Sequence, residues 1–172
     1  MKNSYFYAIM YISNGECHRF FGDVCQLFFI PEVIPMALKM RVLYLSNKGK
    51  LRGIAEQLSK ENDIKVDTIP PAYNVEKERL LIVAITLGSS LTETARRFFA
   101  GLDAKRAANV ALIVDGTPEN AQNLIDIIKE AGANVMDDVL YVKGGLPFLS
   151  KATQADLDAA SEWSKKIIAS IK

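Results

Sequence analysis

Cys17 and Cys25 are the only cysteines of the chain and His18 its only histidine, and all three precede Pro31. A structural zinc site usually takes four protein ligands, so these three read as incidental residues of an irregular segment rather than as a metal site. From Met40 onward there is neither histidine nor cysteine. That removes Ser-His-Asp and Cys-His catalysis, most zinc sites and thiol redox chemistry from the larger part of the chain. Any reaction there would have to be supplied by a bound cofactor.

What remains is a set of polar, glycine-bearing loops. Ser46-Asn47-Lys48-Gly49-Lys50-Leu51 follows an apolar run and opens a helical pattern. A helix N-terminus presents unpaired N–H groups, and Gly49 lets the backbone turn close to a ligand. With Lys48 and Lys50 adding positive charge, this loop is the expected site for an anionic group. Gly88-Ser89-Ser90 and Asp115-Gly116-Thr117 follow two later apolar runs and should form the neighbouring walls. The first loop is neither a Walker A loop nor a G-x-G-x-x-G fingerprint, so ATP hydrolysis and NAD binding are poorly supported. A phospho-receiver domain would need an aspartate where the third strand ends in Thr86-Leu87-Gly88-Ser89.

Alternating strand and helix patterns must position these loops. Arg41 to Ser46 reads as a strand buried on both faces. Leu51, Ile54, Ala55 and Leu58 fall on one face of a helix. Ile64 to Ile69 alternates like an edge strand and is stopped by Pro70-Pro71. Leu80 to Leu87 is the most apolar run and should be central. Ala95, Phe98, Phe99 and Leu102 form a second helical stripe, and Asn109 to Val114 a fourth strand. Thr117-Pro118 is a helix start, Leu124, Ile125, Ile127 and Ile128 its apolar side, and Gly132 its C-terminal cap. Val135 to Val142 contains the fifth strand. Thr153-Gln154-Ala155-Asp156 resembles a capping box for a last helix carrying Leu157, Ala160, Trp163, Ile167 and Ile171. Between the second and third strands only about ten residues are available, Pro70 to Arg79, so the helix expected there is short or reduced to one turn. The expected fold is an α/β/α sandwich around a parallel sheet.

From Met40 to Lys172 the chain resembles the flavodoxin family. The resemblance rests on the opening strand with its hydroxyl- and glycine-bearing loop, on Leu91 to Val114, and on Gly144 to Trp163 with Leu146-Pro147-Phe148 and Asp156-Leu157. It implies a five-stranded parallel sheet in the order 2-1-3-4-5, with FMN at the switch point between strands one and three. In that family the first loop reads approximately Ser/Thr-x-Thr-Gly-Asn-Thr and wraps the FMN phosphate. Here Ser46 and Gly49 match, Lys48 and Leu51 replace threonines, and Lys50 replaces asparagine. Two lost hydroxyl donors would weaken binding by about 3–6 kcal/mol, partly returned by the lysines. A hydroxyl restored by Leu51→Thr would then strengthen it. The family commonly sandwiches the flavin ring between loop aromatics, and neither Gly88-Ser89-Ser90 nor Asp115-Gly116-Thr117 contains one. Tyr73 is the nearest aromatic by sequence. Two functions stay open: an FMN-binding electron carrier with a weakened site, working with redox partner proteins, or a flavin-free binding or regulatory module. An enzyme with catalytic residues of its own is the less favoured expectation.

The formal net charge of +1 on 172 residues points neither to nucleic acid nor to an anionic membrane. Two cysteines build no disulfide framework, so a cytoplasmic protein is expected. Residues 1–39 read as an irregular, aromatic-rich extension or as residues ahead of the true start, since Met36 and Met40 could both initiate. The apolar stretch Tyr5 to Ile12 is too short to span a bilayer and is followed by no small-residue cleavage pattern. Val24 to Met40 is interrupted by Pro31, Glu32 and Pro35. Because the regular pattern begins at Met40, a chain begun there should fold with full secondary structure, as judged by far-ultraviolet circular dichroism. An insoluble product, or one melting far below the full chain, would make the extension part of the core.

Overall fold

A computed structural model describes residues 38–46, 49–88, 91–142 and 151–171. The readings of residues 1–37, of Asn47, Lys48, Ser89 and Ser90, and of Gly144 to Pro147 and Phe148 lie outside these.

The described elements alternate. Strand β1 (Met40–Leu45) leads to α1 (Gly49–Asn62), β2 (Lys65–Thr68) and β3 (Glu78–Thr86). Then come α2 (Glu93–Ala100), β4 (Ala107–Asp115), α3 (Pro118–Glu130), β5 (Asn134–Val135), β6 (Leu140–Tyr141) and α4 (Gln154–Ile171). All strand pairs are parallel, in the order β2-β1-β3-β4-β5, with β6 also paired to β4. The order is that expected from the sequence.

The period of two along each strand divides the core. Leu43, Leu81, Val83, Ile85, Leu112 and Val114 face one side, where Phe99 of α2 and Leu124 and Ile128 of α3 cover them. Val42, Leu80, Ile82, Ala84, Ala111 and Ile113 face the other, against Leu51, Ile54 and Leu58 of α1 and Trp163 and Ile167 of α4. Two helices on each face complete the three layers.

The helix starts agree with the local chemistry. Thr117 accepts a bond from Asn120 N at 3.4 Å, with Pro118 next to it. Thr153 and Asp156 form a reciprocal box: Asp156 Oδ2 accepts from Thr153 N at 3.0 Å, and Thr153 Oγ1 accepts from Asp156 N at 3.3 Å. Gly132 takes the left-handed conformation just past α3, with φ of +97°.

The expected fifth strand is divided. β5 pairs with Asn109 and Val110 and β6 with Ile113 and Val114, so three steps along β4 are matched by five along this edge. The excess chain forms a bulge between β5 and β6, with Met136 and Val139 packed against the core. Helix α4 pins the bulge, because Trp163 Nε1 donates to the Asp138 carbonyl at 2.9 Å and Lys166 Nζ bonds Asp138 Oδ2 at 2.6 Å.

No helical turn forms between β2 and β3. Pro70-Pro71 cannot supply the N–H groups a helix needs, and Asp67 bonds the amides of Thr68 and Ala72 instead. Arg41 Nη1 donates to the Tyr73 carbonyl at 3.1 Å, and Lys39 Nζ bonds the Glu76 carbonyl. Both cations converge on Glu78, at 3.4 Å from Arg41 and 3.7 Å from Lys39. The Glu78 side chain is 2% exposed, and its Oε2 has no hydrogen-bond partner among the described residues. Glu78 therefore holds the charge against which the connection is fastened, a role that a charged residue at the head of an apolar run does not announce. Lys39 also accepts from Arg79 N through its carbonyl at 2.8 Å, so sheet contacts begin one residue before Met40.

Breaking a buried charge pair leaves its partners desolvated and uncompensated. Glu78→Gln should therefore lower stability by about 2–4 kcal/mol, read from the urea midpoint, and speed amide exchange across residues 70–77. An unchanged midpoint would remove Glu78 from this role.

Candidate functional site

Parallel strands bring their C-terminal ends to one edge, and the described residues of the loops singled out by sequence follow those ends. Ser46 follows β1 and Thr86 closes β3, and their hydroxyl oxygens lie 2.8 Å apart. This pair bridges β1 and β3, where the chain changes direction of winding. By sequence Thr86 stands at the third strand's end but not among the site residues, because it closes an apolar run; its signal was a hydroxyl at the strand's end.

The loops after β3 and β4 are joined. Leu87 N donates to the Asp115 carbonyl at 2.9 Å, and Asp115 itself is buried. A Cβ placed on Gly116 would lie 3.0 Å from both Leu87 Cβ and Leu87 O. Gly116 is thus glycine because the β3 backbone passes against it. Gly88 differs: a Cβ there would meet nothing within 4 Å among the described residues, so none of them closes in on its backbone. Thr117 is committed through its oxygen to the cap of α3. On the outer side, an open depression of about 430 Å³ lies between α2 and α3, lined by Leu87, Gly88, Arg96, Asn120 and Asn123 among others.

The first loop is only partly what the sequence suggested. Gly49 is the first residue of α1, so the helix N-terminus lies where expected. Lys50 does not simply face the crevice. Its Nζ lies 3.0 Å from Asp156 Oδ2 of α4, and its side chain is 13% exposed. Burial disfavours the Asp156 charge, but the Thr153 hydroxyl, the Lys50 ammonium and the Thr153 amide outweigh it and hold this carboxyl below its ordinary value. Leu51 is buried in the core beneath α1. A hydroxyl at position 51 would enter apolar surroundings, which offsets the gain expected from Leu51→Thr.

Tyr73 is not drawn toward this edge. Its carbonyl is held by Arg41, at the opposite end of β1 from Ser46, and the residue is exposed. Among the described residues no cluster of three or more histidine, cysteine, aspartate or glutamate side chains could hold a metal ion. Among them no helix is long and apolar enough to cross a membrane.

The architecture matches a solved flavodoxin from the domain Archaea with a TM-score of 0.55, at 18% identity, over 77% of this chain and 97% of that one. The fold is flavodoxin-like. No protein-family model matches the chain, and no curated protein matches it. Within the flavodoxin-like frame, Ser46 and Thr86 lie at the β1/β3 switch point, and Asp115 and Gly116 lie at the end of the neighbouring β4.

The two glycines should therefore respond differently. Gly116→Ala forces a methyl against the Leu87 backbone and should cost on the order of 1–3 kcal/mol, measured by thermal or urea unfolding. Gly88→Ala should stay within about 0.5 kcal/mol of the parent. Equal effects would contradict the assignment of a tight wall at Gly116 and an open one at Gly88.

Proposed function

We propose that the chain binds FMN at the C-terminal edge of the sheet and serves as an electron carrier with a weakened cofactor site. The observation that carries this reading is the Ser46–Thr86 hydroxyl pair beside the start of α1, at the β1/β3 switch point of a flavodoxin-like sheet. The residues present fit the phosphate end of the group. The first-turn N–H groups from Gly49 onward and the Ser46 hydroxyl would hold the phosphate, where the helix dipole favours an anion. Thr86 would orient the Ser46 hydroxyl. The open backbone at Gly88 leaves room for a flat ring, and Gly116, packed against Leu87, holds the β4 loop close beside it. Asn47, Lys48, Ser89 and Ser90 belong to the site by sequence position. When bound, FMN would supply one-electron chemistry; the chain's part is to bind it, orient it and shield one face. A carrier of this kind would work in the cytoplasm with redox partner proteins, and the near-neutral charge argues for docking by shape rather than by a strong field.

A second reading, a flavin-free binding or regulatory module, is favoured by the engagement of Lys50 with Asp156 and the burial of Leu51. The first engages a cation the phosphate loop would use, and the second turns the loop's last side chain into the core.

Flavin fluorescence separates the two. Titrating FMN into the purified protein should give saturable quenching with a dissociation constant on the order of micromolar, and Ser46→Ala should weaken it about tenfold by removing one hydrogen bond to a charged group. Tight, subnanomolar uptake would contradict the weakened site. No uptake by either protein would favour the flavin-free module.

A further inference from the structure

We propose that Asp156 sets the anion affinity of the α1 N-terminus by holding Lys50 against α4. This deepens the flavin reading and rests on that terminus being the phosphate end of the site.

The arrangement has an anchored partner and a recruited one. Asp156 is fixed by its own helix: its Oδ2 accepts from Thr153 Oγ1 at 2.7 Å and from Thr153 N at 3.0 Å. Lys50 has a long, rotatable stem and stands in the first turn of α1. Its ammonium reaches across to the same Oδ2 at 3.0 Å, where both side chains are largely buried, at 13% and 22% exposed. The two helices start at the same edge and approach closely there. A Cβ on Gly53 would lie 3.5 Å from Ala152 Cβ. Further along, Ser161 Oγ bonds Glu61 Oε2 at 2.6 Å.

Two consequences follow for an anion arriving at Gly49. The Lys50 charge is largely cancelled by its partner, so it adds little attraction. The Asp156 carboxylate also adds repulsion within a few ångströms of Lys50, in partly dry surroundings where screening is weak. Removing the carboxylate's charge reverses both effects. Asparagine retains a side-chain oxygen able to close the capping box, so the helix start survives the change. Asp156 is a positioning residue in this scheme: it acts on the ligand through Lys50.

The test compares the full-length protein with Asp156→Asn and with the double variant Lys50→Gln/Asp156→Asn. Each is titrated with FMN, with riboflavin, which lacks the phosphate, and with inorganic phosphate followed through the Gly49 amide resonance. Asp156→Asn should bind FMN and phosphate about three- to fivefold tighter, the range of a partly exposed charge pair, with riboflavin unchanged. The gain should disappear in the double variant. A purely structural role for Asp156 would instead shift riboflavin and FMN together, and that result overturns the proposal. So does FMN binding by the parent with no gain in Asp156→Asn, which leaves the flavin reading standing. Phosphate binding strengthened by Asp156→Asn, with no FMN uptake by any form, would uphold this inference and defeat the flavin reading. Absence of FMN and phosphate binding in every form overturns both.

Discussion

Burial of β3 on both faces is the constraint from which the rest of the architecture follows. Its inner residues Leu80 to Ile85 carry no polar side chain, and all are fully buried. Each large apolar side chain contributes roughly 1.5–3 kcal/mol only if water is excluded from it. A helical layer on one face would leave every second residue wet. The chain therefore needs α1 and α4 on one side and α2 and α3 on the other, and β1 and β4 must flank β3 to pair its backbone. Parallel pairing follows, because each return to the sheet passes through a connection across one of these layers.

That constraint also locates the site. With the strand interiors fully used for burial, polar groups collect where the strands end. The C-terminal edge receives Ser46, Thr86 and Asp115 together with the first turns of the helices. It combines hydroxyls, an acid and helix N-termini in a region the core does not occupy. Leu87 and Gly116 join the β3 and β4 loops into one wall of this edge, and at Gly88 no described residue crowds the backbone. A joined wall and an uncrowded backbone together are what a flat anionic ligand would require.

Charge is managed at both ends of the sheet by pairing. At the N-terminal edge Glu78 gathers Lys39 and Arg41, and these fasten a β2–β3 connection that has no helix to fasten it. At the C-terminal edge Asp156 gathers Lys50 and ties α1 to α4. The first pair supports a segment of the fold. The second lies beside the candidate site and bears on what that site attracts.

The sequence by itself determined the order of strands and helices, the two-sided burial of LLIVAITL and the helix caps at Thr117, Gly132 and Thr153. These depend on periodicity and on residues within a turn of each other, which are adjacent in sequence. It also placed the polar loops at one edge, since parallel strands leave their loops no other arrangement. Only the tertiary structure decided the fate of individual charges and hydroxyls. Asp156 reaching Lys50, Thr86 meeting Ser46, Arg41 and Glu78 holding the Tyr73 segment, and α4 clamping the Asp138 bulge all join residues far apart along the chain. A lysine beside a glycine reads the same whether it faces a ligand or a carboxylate from another helix. Packing makes that choice, because only packing determines which opposite charge is within 4 Å and which leucine must be kept from water.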